Sequence, residues 1–181
     1  MERLWIEKLE EELAKPLPGI EAQQRLSPPE RHNAEYPLHN VKKSAVLILL
    51  YRINGELKTV FIKRAEYDGI HSGQVSLPGG VYENVDGNMQ NTALRETQEE
   101  TGLSPDNIRV IGTLTSLHIP VSNYLVYPFV GFCANEPEFH PDPVEVSYLI
   151  ETSITELLKP ENRKKKIMTI GDSAIEIPYF D

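Results

Sequence analysis

The segment Arg95-Glu96-Thr97-Gln98-Glu99-Glu100-Thr101-Gly102-Leu103 constrains this chain more than any other stretch of its length. A helix from about Met89 to Thr101, closed by Gly102 at the C′ position, places Glu96, Glu99 and Glu100 within roughly one 100° arc. Carboxylates at i,i+4, here Glu96 and Glu100, repel by about a few tenths of a kcal/mol. Glu99 and Glu100 also fall in the last turn, at the negative end of the helix dipole, where acidic side chains are disfavoured. The side left for burial is thin: Ala93, Leu94, Thr97 and the following Leu103. A segment selected only to be helical gains nothing from this arrangement. Positive charge is expected against the acidic face.

The rest of the chain limits what that charge can be. The 181 residues suit one compact domain, and 40% apolar with 25% charged residues is ordinary for a globular protein. A net charge of −9 argues against general affinity for nucleic acid, but not against a small anionic substrate screened by cations, and no membrane partner is expected. The longest apolar run, Ala45 to Tyr51, is far shorter than the roughly 20 residues that cross a bilayer, and no signal peptide is expected. The single cysteine, Cys133, excludes an intrachain disulfide framework, lies in a strand-like run that suggests buried packing, and fits a reducing cytoplasm. The basic run Arg163 to Lys166 reads as a solvated loop or strand edge.

Trp5, Leu9 and Leu13 recur at helical spacing, and Pro16, Pro18 and Gly19 end that pattern. Residues 1–40 therefore read as an N-terminal helix and an extended arm, and residues 41–181 as the domain proper. Ser44 to Ile53 and Glu56 to Arg64 form a hairpin across Asn54-Gly55, a type I′ pair. A short strand at Gln74 to Leu77 leads to Pro78-Gly79-Gly80, where paired glycines allow close backbone approach to a ligand. Further strands are expected at Ile108 to Leu117, Tyr124 to Ala134 and Val144 to Ile150, with a short helix at Ile154 to Leu158. A last hairpin, Lys166 to Ile170 with Ala174 to Tyr179, turns at Gly171-Asp172. The order of elements predicts an α+β protein, an α/β/α sandwich around a mixed sheet.

Clustered glutamates are hard oxygen ligands that suit Mg²⁺ or Mn²⁺. The sequence has no HExxH pair, no paired cysteines, no Walker A loop and no G-x-S-x-G elbow. Carboxylate-held divalent cations beside a Gly-Gly backbone suit the hydrolysis of a phosphoric anhydride.

The stretch from Leu77 to Leu103 resembles the Nudix box, G-x5-E-x7-R-E-U-x-E-E-x-G-U with U bulky and aliphatic. Arg95-Glu96, Glu99-Glu100, Gly102 and Leu103 match its second half without a gap. The first half departs: Gly87 stands at the early Glu position and Val81 at the early Gly, so one residue is inserted after Gly80. Asp86 and Glu83 are the two acids available to replace that Glu, and Thr97 replaces the aliphatic residue. Upstream, Arg64-Ala65, Gly73 and Pro78-Gly79-Gly80 are similar to the signature of the coenzyme A pyrophosphatase subgroup, L-L-T-x-R-[SA]-x3-R-x3-G-x3-F-P-G-G. Gly69 stands where its second Arg is expected, which removes a phosphate contact.

The resemblance implies a Nudix-type α/β/α fold and a metal-dependent pyrophosphohydrolase. It implies that Glu96, Glu99 and Glu100 ligate Mg²⁺ or Mn²⁺, joined by the carbonyl of Gly79 or Gly80, and that Arg95 orients the glutamates. Arg64, Gln74, Gly79 and Gly80 are the implied substrate contacts. The substrate would be coenzyme A or a derivative, split to 4′-phosphopantetheine and adenosine 3′,5′-bisphosphate; another nucleoside diphosphate derivative such as ADP-ribose or NADH is the alternative, as is a nucleotide-binding module with little turnover. The general base is open between a box glutamate and a later acid, Asp142 or Glu145, while His71 and His118 are more simply structural. A homodimer is left open.

Overall fold

The computed structural model describes residues 2–25, 27, 39–68, 71–120, 122–170 and 173–180. Gly69 and the Gly171-Asp172 turn lie outside the described residues.

The run Ala45 to Tyr51 is apolar throughout because it forms β1 (Lys42–Ile53) at the centre of the sheet, with both faces covered. Alternate side chains serve opposite faces. Ala45, Leu47, Leu49 and Tyr51 pack with Ala93 and Leu103, at the acidic helix and just beyond it. Ile48 and Leu50 pack instead with Trp5, Ile6, Leu9 and Leu13 of the N-terminal helix α1 (Glu2–Leu13). These are the two helical layers of an α/β/α sandwich.

The sheet between them is mixed. β1 turns through Asn54 (φ 52°) and Gly55 (φ 83°), the conformation an Asn-Gly pair favours, into antiparallel β2 (Glu56–Arg64). β2 also pairs with β3 (Val75–Ser76) and with β8 (Val146–Ser153). The first half of β1 pairs with β4 (Gly79–Val81) on one edge, and its length runs parallel to β7 (Tyr124–Cys133) on the other.

The single strand expected from Ile108 to Leu117 is two: β5 (Ile108–Thr113) and β6 (Leu117–Ile119), both antiparallel to β7. Pro128 explains the break. Its carbonyl accepts the Leu114 N–H at 2.9 Å, so its own missing N–H falls on the same edge of β7, where the ladder cannot continue. The carbonyls of Thr115 and Ser116, left without strand partners, are bonded by the Gln23 side-chain amide at 2.9 and 3.2 Å. Gln23 belongs to α2 (Gly19–Gln24), a short helix inside the segment expected to be an extended arm. α1 is seated as closely: a Cβ at Gly112 would lie 2.8 Å from Leu13, and Trp5 stacks edge-on against Phe132 at 5.8 Å.

The acidic helix is α3 (Met89–Thr101), capped by the Asn88 side chain on Asn91 N–H and closed by Gly102 at φ 74°. The short helix α4 (Ile154–Leu158) stands where expected. The terminal hairpin pairs β9 (Arg163–Ile170) with β10 (Ser173–Phe180), so the basic run lies on a strand with its side chains exposed. Cys133 is buried and its Sγ lies 3.2 Å from the Asn135 carbonyl; burial raises the thiol pKa, as suits a packing residue.

Candidate active site

The three glutamates of α3 share a face but not an environment. Glu100 is 1% exposed. One carboxylate oxygen accepts the Gly79 N–H at 2.8 Å and the other pairs with Arg64 Nη1 at 3.0 Å. Burial pushes its pKa up to about 7; the Gly79 N–H and the Arg64 charge oppose the rise, and Glu96 and Glu145 add to it. Glu96 is also raised, first by burial, against the pull of Arg95, with further push from Glu99 and Glu145. Glu99 is about half exposed and pairs with Arg95 Nη1 at 2.9 Å.

The two glycines bring the β4 backbone against these carboxylates. A Cβ on Gly80 would lie 2.3 Å from a Glu96 carboxylate oxygen. A Cβ on Gly79 would lie 2.3 Å from the Ala45 carbonyl and 2.6 Å from Val46 Cα. The two positions should therefore fail differently. Gly80→Ala collides with the end of a side chain that can rotate away, so a Tm loss under about 4 °C is expected with activity down at least tenfold, since about 1.4 kcal/mol of lost transition-state stabilisation suffices. Gly79→Ala meets β1 backbone from φ 151°, and the fold itself should give. Thermal unfolding and turnover of both variants check the contrast.

Arg95 is the hub on the outer side. Its Nε and Nη2 bond both oxygens of Asp86, at 2.7 and 3.1 Å; Nη1 reaches Glu96 and Glu99, each at 2.9 Å; Nη2 also reaches the Val81 carbonyl at 3.0 Å. Asp86 is buried in the 3₁₀ turn Asn84–Asp86 and further accepts Glu83 N–H and Thr92 Oγ1, both at 2.9 Å. Its bond to Arg95 holds the carboxyl far below the usual carboxylate range. Of the two acids available in place of the missing Glu, Asp86 is the one joined to Arg95, while Glu83 is exposed.

The later acidic loop also reaches the site. Asp142 turns it: its carboxylate accepts Val144 N–H at 2.8 Å, and its carbonyl accepts the N–H groups of Glu145 and Val146 at 3.2 and 2.8 Å. The Glu145 carbonyl then takes the Ala65 N–H at 2.8 Å, beside Arg64. Glu145 is thereby the later acid whose charge is felt by both Glu96 and Glu100. Asp142 puts one carboxylate oxygen and its carbonyl into the turn. Gln74 lies at the rim of a cavity beside Gly79, with its Oε1 3.0 Å from His71 Nδ1, and His118 bonds Asn123 at 3.0 Å within the β6–β7 turn.

Among the described residues, no three His, Cys, Asp or Glu side chains converge as a ready metal cluster. The donor chemistry nevertheless fits a hard divalent cation. The carboxylates of Asp86, Glu96, Glu99 and Glu100 outnumber the Arg64 and Arg95 guanidinium groups bonded to them, the Glu145 charge acts on Glu96 and Glu100, and those two are pushed toward protonation.

The family model for the NUDIX domain matches residues 41–169. The chain belongs to the Nudix family. It is 38% identical over 121 residues to an uncharacterized Nudix hydrolase NudL of Pectobacterium atrosepticum, covering 66% of this chain and 62% of that one. It is 37% identical over 145 residues to the mitochondrial Nudix hydrolase 15 of Arabidopsis thaliana, covering 77% of this chain and 50% of that one. The chain thus spans about half to three-fifths of the length of these curated relatives. Among solved structures, the NUDIX domain of Shewanella oneidensis NrtR, complexed with ADP ribose, superposes with a TM-score of 0.53 at 18% identity, over 76% of this chain and 86% of that one. That likeness is one of Nudix fold, and it agrees with the sandwich described above. No helix among the described residues is long and apolar enough to cross a membrane.

Proposed function

We propose that this Nudix chain is a metal-dependent pyrophosphohydrolase, with coenzyme A or a derivative as its preferred substrate. The observation that carries the reading is the apposition of Glu96 and Glu100 to the Gly79-Gly80 backbone, with the Glu145 charge acting on the same two carboxylates. Subgroup and substrate rest on the upstream match of Arg64, Gly73 and Pro78-Gly79-Gly80.

Glu96, Glu100 and, after its side chain leaves Arg95, Glu99 are the residues that would hold Mg²⁺ or Mn²⁺. The cation would screen the diphosphate and make the attacking water more acidic. Arg64 and the Gly79 N–H fix the Glu100 carboxylate, and Arg95, anchored by Asp86, fixes the outer edge of the face. Glu145, whose charge acts on both Glu96 and Glu100, is the acid we assign to accept the proton of the attacking water.

Mg²⁺ or Mn²⁺ should raise the Tm of chelated wild-type protein by several degrees, as expected of a ligand at about 100 times its Kd, worth about 2.7 kcal/mol. Thermal scans with and without EDTA read this independently of turnover; an unmoved Tm at millimolar metal speaks against the site. The substrate is tested by a panel of coenzyme A, ADP-ribose, NADH and dinucleoside polyphosphates. ADP-ribose bound by the Shewanella NUDIX domain, and Gly69 in place of an arginine, favour a second reading in which ADP-ribose or NADH is cleaved instead. Turnover of ADP-ribose well above coenzyme A would establish it. Metal-dependent binding with no turnover of any compound would leave a nucleotide-binding module.

A further inference from the structure

A cavity of about 510 Å³ opens directly beside Gly79, Gly80 and Arg64. Its wall is largely branched and aliphatic, from Val46, Leu77, Ile119 and Val126. Tyr67, Val75 and Val81 stand at the same cavity and are 49%, 52% and 45% exposed, so apolar side chains otherwise costly to leave in water are gathered there. Among the described lining residues Arg64 is the one Lys or Arg, and its Nη1 is engaged by Glu100. Three polar atoms on the lining residues are buried without a hydrogen-bond partner: Ser76 Oγ, Ser122 Oγ and Arg64 Nε. Buried polar atoms are rarely left so unless a ligand or water completes them. An apolar pocket with a few unpaired hydroxyls is the form of a site for an uncharged ligand group carrying amides or hydroxyls. A phosphorylated nucleoside, by contrast, would bring a dianion against a wall whose one guanidinium among the described residues, that of Arg64, is already shared with the Glu100 carboxylate.

We propose that this cavity receives the uncharged, amide-bearing arm of the substrate, the pantetheine side of the diphosphate, and leaves the phosphorylated nucleoside outside. The assignment rests on the coenzyme A reading but adds an orientation: the diphosphate crosses the Gly79-Gly80 edge, with Ser76 and Ser122 bonding the arm that enters the cavity.

The two halves of the substrate test this without any turnover. Calorimetric titration of wild-type protein with 4′-phosphopantetheine and, separately, adenosine 3′,5′-bisphosphate is compared with Ser122→Trp, which fills the cavity from a turn, and Ser122→Ala, which only removes the hydroxyl. Affinity for 4′-phosphopantetheine should fall at least tenfold in Ser122→Trp and about threefold in Ser122→Ala, with adenosine 3′,5′-bisphosphate changed less than twofold. With coenzyme A, KM should rise at least tenfold in Ser122→Trp while kcat stays within threefold. No binding of 4′-phosphopantetheine by the wild type, or losses that fall on adenosine 3′,5′-bisphosphate instead, would overturn the orientation. Intact arm binding with no hydrolysis of coenzyme A would sink the hydrolase reading and leave the cavity assignment standing.

Discussion

Glu100→Gln is expected to cut kcat by at least about tenfold without loss of the fold. Gln preserves the shape of the side chain and can still accept the Gly79 N–H, but it removes the charge that a divalent cation would bind. A tenfold loss corresponds to about 1.4 kcal/mol of transition-state stabilisation, a modest demand on one metal ligand. The stability effect should carry the opposite sign. Burial raises the folded pKa of Glu100 to about 7, above that of an unfolded glutamate. Its contribution to stability is therefore fully present below the unfolded pKa and is lost as pH rises from about 4 through about 7. At pH 8, without metal, the ionised carboxylate is a burden that Gln does not carry. The metal-free variant should thus melt at or above the wild-type Tm at pH 8, with a weaker pH dependence between 4 and 8. Near-normal kcat, or a sharp fall in Tm, would contradict the account of this face.

The second large effect is expected at Asp86. Asp86→Asn keeps the volume but leaves Arg95 without its main partner and places an amide NH₂ against the guanidinium. Breaking a fully buried pair costs roughly 3–5 kcal/mol, and the quarter exposure of Arg95 lowers this to about 2–3 kcal/mol. In a domain of this size that is a Tm loss of roughly 5–10 °C. Activity should fall further than Tm explains, because Arg95 also holds Glu96 and Glu99. The pair also predicts acid lability. The folded pKa of Asp86 is depressed, so its contribution is present above the unfolded value, near about 4, and is lost as pH falls below that. Wild-type Tm should drop more steeply than that of Asp86→Asn below pH 4.

These two residues also mark what the sequence discloses. The span of α3, its Gly102 terminus, the Asn54-Gly55 hairpin and the two-faced β1 are local, written in capping, turn chemistry and periodicity. The direction taken by each glutamate is not. A helical arc sets where Cα–Cβ bonds point, while the divergence of Glu99 toward Arg95 and of Glu100 toward Arg64 depends on guanidinium groups brought in from elsewhere. Arg64 read as a substrate contact; in the structure it first anchors Glu100. The sequence leaves both Asp86 and Glu83 available for the missing box acid; the 3₁₀ turn, which no spacing shows, is what joins Asp86 to Arg95 and leaves Glu83 exposed. Pro128 was visible in the sequence, but its effect falls on a strand it does not belong to, so β5 and β6 read as one. Glu145 and Asp142 read alike in sequence; the turn distinguishes an acid whose charge acts on Glu96 and Glu100 from one whose carboxylate caps the loop.

The most direct measurement is coenzyme A turnover by chelated wild-type protein as Mg²⁺ is titrated back, with the products resolved. No turnover is expected at zero metal, then a saturable rise with Mg²⁺, with 4′-phosphopantetheine and adenosine 3′,5′-bisphosphate as the only products. Equal turnover in chelator, or no cleavage of coenzyme A at saturating Mg²⁺ or Mn²⁺, would contradict it.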